Sequence, residues 1–304
     1  MIRLGCCAFI FGPRSIEDGL RLVADLGFRY ADVSAADVGD RAQVDQQEAA
    51  AHPAALGQIA RQTAARYELT LEELFICPVF VDGQRVEVND PDEAKRKTLL
   101  TNFANLCAYA AEAGFRSIMG VPGVAQETLK PEEAWEISVE MLTKMVQIAS
   151  DHGVRLNVEP HTGSIIQDPQ LALKLAQEVP GLTYTLDYSH FISLGYKEKE
   201  VMPLHVYTWH MHARQAKPGA GGCAVAEGTI DFAVVVRQLM AEGWDGVIAM
   251  EYLADPAHNG VFQNLLLAYQ LDELIESGRK LPAPNWRRSE WPTEQSRNLH
   301  ARFR

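Results

Sequence analysis

Cations are scarce in this 304-residue sequence: 28 Lys and Arg stand against 40 Asp and Glu, a formal net charge of −12. Affinity for a phosphate backbone rests on clustered Lys and Arg, so this balance argues against a nucleic-acid partner. Cysteine is sparse as well. Cys6, Cys7, Cys77, Cys107 and Cys223 are odd in number and include no C-x-x-C pair, which removes the usual zinc and redox motifs and fits a reduced cytoplasm. No apolar run approaches the roughly 18 residues that would suggest a membrane span. The opening MIRLGCCAFIFGPR is read as a buried first strand rather than a signal peptide. No G-x-G-x-x-G follows that strand, which weakens a dinucleotide-binding dehydrogenase reading and, with it, an open doubly wound sheet.

What the sequence does have is alternation. Short β-branched or apolar runs predict strands at Arg3 to Ala8, Tyr30 to Ser34, Thr70 to Cys77, Ser117 to Val121, Arg155 to Glu159, Thr183 to Asp187, Thr208 to His212 and Val247 to Glu251, each followed by a helical pattern. Ser15, Asp90, Lys130 before Pro131, Asp168 before Pro169, and Asp231 resemble helix-start chemistry. Gly27, Gly114, Gly153 and Gly243 fall where left-handed helix stops precede the next strand. Eight strand-then-helix units imply parallel pairing and closure into one (β/α)8 TIM barrel, placed at residues 1–281. Residues 282–304 read as a C-terminal extension. Its Trp286 and Trp291 are costly to leave in water, which suggests packing on another subunit of a homo-oligomer, dimer or tetramer; the alternative is a disordered tail.

Four of the later predicted strands end in metal-ligand types: Glu159 in LNVEP, Asp187 in YTLDYSH, His212 in WHMHA and Glu251 in IAMEYL. Each separation leaves room for a helix and a return strand, so the four converge at the C-terminal mouth, where barrels of this kind carry their chemistry. Strand alternation provides a check. Asn157, Thr185, His210 and Ala249, two residues earlier, share the ligands' face, while Val158, Leu186, Met211 and Met250 face the helices. Three carboxylates and one imidazole suit one divalent cation, Mn²⁺ or Mg²⁺ ahead of Co²⁺ or Zn²⁺. The competing reading of any single carboxylate is a buried ion pair.

With Glu159 in VEP, the D-x-x-H of Asp187 to His190, the H-x-H of His210 to His212, and Glu251 closing the last strand, the chain resembles the xylose isomerase-like barrel superfamily of sugar isomerases and epimerases. The resemblance extends nearly to Leu281. It implies that Glu159 and Glu251 bind the metal and shuttle protons, that His190 touches substrate, and that His212 is a ligand. It further implies proton transfer next to the carbonyl of a ketose or sugar derivative, with Mn²⁺ the expected ion. A lyase or dehydratase acting on a keto-sugar, keto-inositol or 3-keto-glycoside uses the same site in other relatives.

The departures are specific. Many relatives read H-x-K-D where this chain has His212, Ala213, Arg214 and Gln215; Arg214 is therefore expected on a substrate oxygen, or else in a rim salt bridge. His161 lies on the metal side if the chain stays extended through Pro160, which gives it an acid, base or substrate role. The glycine-rich KPGAGGCAVAEGTID reads as a lid over substrate or simply as a mobile loop, with Glu227 its acidic substrate-binding candidate. Only Arg214 and Lys217 lie near the usual barrel phosphate site, so phosphorylated substrates are not favoured. Phe9, Phe11 and Phe80 form an apolar wall or simply pack the core. A DNA-repair endonuclease from the same superfamily conflicts with the acidic charge.

Overall fold

The computed structural model describes residues 1–35, 42–77, 79–81, 83–253 and 260–275. Its centre is a closed parallel barrel made of β1 (Arg3–Cys7), β2 (Tyr30–Ser34), β3 (Thr70–Phe75), β6 (Ser117–Gly120), β7 (Arg155–Val158), β8 (Thr183–Asp187), β9 (Thr208–Ala213) and β10 (Val247–Met250). The ring order is β1-β10-β9-β8-β7-β6-β3-β2. All eight predicted strands are present, most ending a residue or two before the expected position. The backbone ladder nevertheless reaches the chemistry, because the Glu159 N–H donates to Gly120 O at 2.9 Å and the Glu251 N–H to Ala213 O at 3.0 Å.

A two-stranded antiparallel hairpin, β4 (Val79–Val81) with β5 (Gln84–Val86), rises between β3 and the following helix. The strand–helix count did not foresee it. Helices α1 (Ile16–Asp25), α2 (Gln46–Ala51), α3 (Pro53–Arg66), α4 (Glu93–Ala113), α5 (Pro131–Asp151), α6 (Pro169–Glu178), α7 (Tyr188–Ser193), α8 (Glu198–Val201), α9 (Phe232–Ala241) and α10 (Gly260–Ile275) complete the described elements with two 3-10 turns.

Local sequence chemistry explains these boundaries. Ser15, Asp168 and Asp231 cap α1, α6 and α9 through side-chain bonds to backbone N–H groups, and Pro131 begins α5 after Lys130. The expected start at Asp90 is corrected: Asp92 caps α4 by accepting from Ala94 N, while Asp90 accepts from Asp92 N in the preceding turn. A carboxylate two positions early closes a turn of its own instead. Gly114, left-handed at φ 89°, ends α4, and Gly27, Gly153 and Gly243 also lie at positive φ.

The apolar core lies between barrel wall and helices. Leu74, Val158, Leu186, Met211 and Met250 are buried on the outward faces of their strands, and Val158 lies beside Leu142 and Met145 of α5. The interior is polar. Glu73, fully buried, accepts from Ser117 Oγ (2.8 Å), Asn157 Nδ2 (2.5 Å) and Thr185 Oγ1 (2.6 Å). Asp32 and His210 meet at 2.8 Å from the non-neighbouring strands β2 and β9. These bonds cross the barrel lumen, so the expected inward face of Asn157, Thr185 and His210 is observed. Among the described residues no helix is long and apolar enough to cross a membrane. The extension at 282–304, with Trp286 and Trp291, lies outside the described residues.

Candidate metal and sugar site at the barrel mouth

Above this polar floor, Glu159, His212 and Glu251 each bring one ligand atom within 4.8 Å of the others. His212 Nδ1 is 3.4 Å from Glu159 Oε1 and 3.7 Å from Glu251 Oε2. All three atoms are buried; Glu159 Oε1 and His212 Nδ1 make no well-formed hydrogen bond, and Glu251 Oε2 is met by the guanidinium of Arg214. Unpaired atoms of this kind are costly, and the three converging on one point form a donor set that fits a divalent cation.

Asp187 sits differently. It caps α7 by accepting from Ser189 N at 2.8 Å, and its Oδ2 is held by Ser189 Oγ (2.7 Å) and Arg214 Nη2 (3.0 Å). Arg214 reaches Glu251 Oε2 with its other terminal nitrogen at 3.0 Å. The guanidinium thus bridges two of the carboxylates that the sequence assigned to the metal, so the salt bridge expected as the alternative for Arg214 is present. These partners favour its cationic form despite burial.

His190 is buried beside this network. Arg214 Nη2 lies 3.1 Å from its Nε2 and Thr162 Oγ1 3.2 Å from its Nδ1. His161 does reach the site, by a route other than the expected one. The chain turns at Pro160, with the His161 N–H donating to Glu159 O at 2.7 Å, and the imidazole lies on His190 with ring centroids 3.9 Å apart. Glu159, His161 and His190 form a second cluster of ligand-type atoms.

The two glutamates have different electrostatic surroundings. Burial alone would raise Glu159, but hydrogen bonding and charge from His190, then His212 and His161, hold it well below the usual carboxylate range. Burial pushes Glu251 up; Arg214 and His212 oppose the shift, Glu159 and Asp187 reinforce it, and the net direction is upward.

A cavity of about 630 Å³ opens beside these groups, lined by Thr162, His190, Arg214, Glu251, Tyr252 and the lid residue Cys223, among others. The glycine-rich segment forms part of its wall through Gly219, Gly221 and Gly222. Its base is clamped by Gln215, whose side chain donates to Ile230 O at 2.8 Å and accepts from Ile230 N at 3.0 Å. Gly228 passes so close that an added Cβ would lie 2.1 Å from Gln215 Oε1. Gly228→Ala is therefore expected to break this clamp, cost roughly 1–3 kcal/mol in a urea melt, and raise KM for substrate. Glu227 points elsewhere: it is exposed, pairs with Lys217 at 2.9 Å, and does not line the cavity. Phe9 lies edge-on to His212 at 6.4 Å between ring centroids. Phe11 is buried in the core and Phe80 sits on β4.

Sequence reasoning missed Asp32 and Glu73, the two carboxylates buried beneath the site. A signal was present: each is a charge inside a predicted strand, and such residues are almost never fully buried without partners.

The chain belongs to the xylose isomerase-like TIM barrel family, whose sequence model matches residues 20–274. It is 24% identical over 173 residues to an inosose dehydratase of Geobacillus thermodenitrificans (strain NG80-2), a match spanning 50% of this chain and 58% of that protein. The structure is similar to a D-psicose 3-epimerase solved in the presence of D-fructose, with TM-score 0.71 and 15% identity over 90% of this chain and 100% of that one. It is also similar to a 3-keto-D-glucoside 4-epimerase from E. coli in its apo form, with TM-score 0.68 and 16% identity over 89% and 100% of the two chains. At these identities the structural likeness establishes the shared fold.

Proposed function

We propose that this protein is a divalent-metal-dependent isomerase or epimerase that moves a proton on the carbon next to a carbonyl in a ketose or related sugar derivative. The observation that carries the reading is the convergence of Glu159 Oε1, His212 Nδ1 and Glu251 Oε2, all buried and the first two without a well-formed hydrogen bond, at the edge of the cavity. These three residues would hold the cation, with Mn²⁺ the expected ion; Asp187 is the fourth candidate ligand, and joining the set exchanges its Arg214 ion pair for the cation. When bound, a divalent cation polarises the sugar carbonyl and an adjacent hydroxyl, which makes the neighbouring C–H more acidic.

Glu159 and Glu251 flank this point, and their roles are to remove and return the proton. One glutamate on each face of the carbon gives epimerisation; transfer between adjacent carbons gives isomerisation. Arg214 and His190 bind substrate oxygens and fix the carbon between the carboxylates. Arg214 is already neutralised by Asp187 and Glu251, and Lys217 by Glu227. A phosphate would have to compete with these carboxylates for either cation, which favours an unphosphorylated substrate. Arg214→Met is expected to raise KM about 10- to 100-fold, the equivalent of the roughly 1.5–3 kcal/mol carried by a hydrogen bond to a charged group. An unchanged KM would remove Arg214 from substrate binding.

A second reading is favoured by the His161–His190 stack beside Glu159. An added acid there would protonate a departing β-hydroxyl, and the protein would then be a dehydratase on a keto-sugar or keto-inositol. Incubation of Mn²⁺-loaded protein in D₂O with free ketohexoses and, separately, inososes tests both readings. Deuterium at the carbon next to the carbonyl of a recovered, epimerised or isomerised sugar supports the first. Loss of water from the substrate supports the second, and no exchange with any of these compounds contradicts both.

A further inference from the structure

Asp32 belongs to β2 and His212 to β9, strands that are not neighbours in the ring, yet their side chains meet inside the barrel. We propose that Asp32 is a positioning residue: it keeps the imidazole proton of His212 on Nε2, so that the Nδ1 electron pair faces Glu159 and Glu251 as a metal ligand. The inference rests on the metal site proposed above and adds to it a residue that determines which nitrogen binds.

The geometry separates the two ring nitrogens. His212 Nε2 lies 3.4 Å from Asp32 Oδ2, whereas Nδ1 faces Glu159 Oε1 at 3.4 Å and Glu251 Oε2 at 3.7 Å. A neutral imidazole has one N–H and one electron pair. With the proton on Nδ1, the Nε2 electron pair would confront the Asp32 carboxylate, and no donor would remain for a cation. With the proton on Nε2, both sides are complementary. At 3.4 Å the contact is long for a hydrogen bond, so Asp32 acts mainly through its charge in a dry interior.

Asp32 is itself held in place. Its Oδ2 accepts from His210 Nε2 at 2.8 Å and from the Cys7 thiol at 3.6 Å, and its Oδ1 accepts from the Glu73 backbone N–H at 3.2 Å. It is only 1% exposed. Burying a carboxylate costs several kcal/mol, and an apolar residue would fill the strand more favourably. Pairing with His210 alone gives a structural account of the charge, but it leaves the orientation of Oδ2 towards Nε2 of both imidazoles without a purpose. Outer carboxylates that orient metal-bound histidines have this arrangement.

Two measurements decide the matter. Calorimetric titration of Mn²⁺ into Asp32→Asn, which keeps shape and an acceptor for the Glu73 N–H, is expected to show a dissociation constant about 10- to 100-fold above wild type, with an unchanged far-UV spectrum. A value within about twofold of wild type would overturn the inference, since lost outer partners ordinarily cost at least tenfold. Nitrogen NMR of Mg²⁺-loaded wild-type protein labelled at histidine, with His212→Asn used for assignment, needs no folded Asp32 variant. The expected spectrum shows His212 protonated at Nε2 and bare at Nδ1; a proton on Nδ1 would overturn the inference. Wild-type protein that binds no divalent cation would defeat the functional reading; cation binding that is tight in wild type and unchanged in Asp32→Asn would overturn the role of Asp32 alone.

Discussion

Glu159→Gln and Glu251→Gln are each expected to lower kcat by about 10²- to 10⁴-fold, the range contributed by a positioned acid or base. The barrel survives both changes, because these residues join the sheet through backbone N–H groups that Gln retains. Far-UV spectra and the urea midpoint therefore stay close to wild type. Since both glutamates are also candidate ligands, weakened cation binding has to be separated from lost proton transfer. Raising Mn²⁺ well above its dissociation constant restores occupancy but not turnover if the carboxylates carry the proton. Recovery of turnover under those conditions would reduce them to ligands, and wild-type activity in either variant would refute the acid/base assignment.

Removal of divalent cations is expected to abolish turnover and lower thermal stability, and adding Mn²⁺ to restore both. Glu159, Asp187 and Glu251 crowd one end of the barrel, and Arg214 compensates Asp187 and Glu251 directly. Glu159 Oε1 is left without a well-formed hydrogen bond, as is Nδ1 of His212, and both face Glu251 Oε2 or its neighbourhood. A cation satisfies all three atoms in the folded state and none of them as a set in the unfolded chain. At a concentration 100 times its dissociation constant it adds about 2.7 kcal/mol, which appears as a rise of several degrees in Tm. Full activity after exhaustive chelation, with no thermal shift on adding Mn²⁺, would show that the site works without a metal.

The barrel was legible because its signal is distributed: each unit pairs an apolar strand with a helix bounded by recognisable chemistry, and an error at one boundary leaves the count of eight intact. Strand parity also identified the inward-facing Asn157, Thr185 and His210, because period-two alternation is imposed by the backbone. Contacts between distant strands were less accessible. Asp32 and Glu73 reach their partners across the lumen, and one sequence carries no local mark of which strands face each other. The pairing of Asp187 with Arg214 was hidden for a similar reason: residue types show that both suit the site, but not that they neutralise one another. His161 was placed near the metal on the assumption of an extended chain, whereas the turn at Pro160 delivers it onto His190. Glu227 was chosen as the acid of the lid, and the neighbouring Lys217 draws it to the surface.

The most direct test is a crystal structure of Mn²⁺-soaked protein, with anomalous scattering measured at the manganese edge. The account predicts one strong peak within about 2.0–2.4 Å of Glu159, Glu251 and the Nδ1 of His212, distances typical of oxygen and imidazole ligands to divalent cations. A peak bound elsewhere, or none in saturating Mn²⁺ while those three side chains stay fixed, would contradict it.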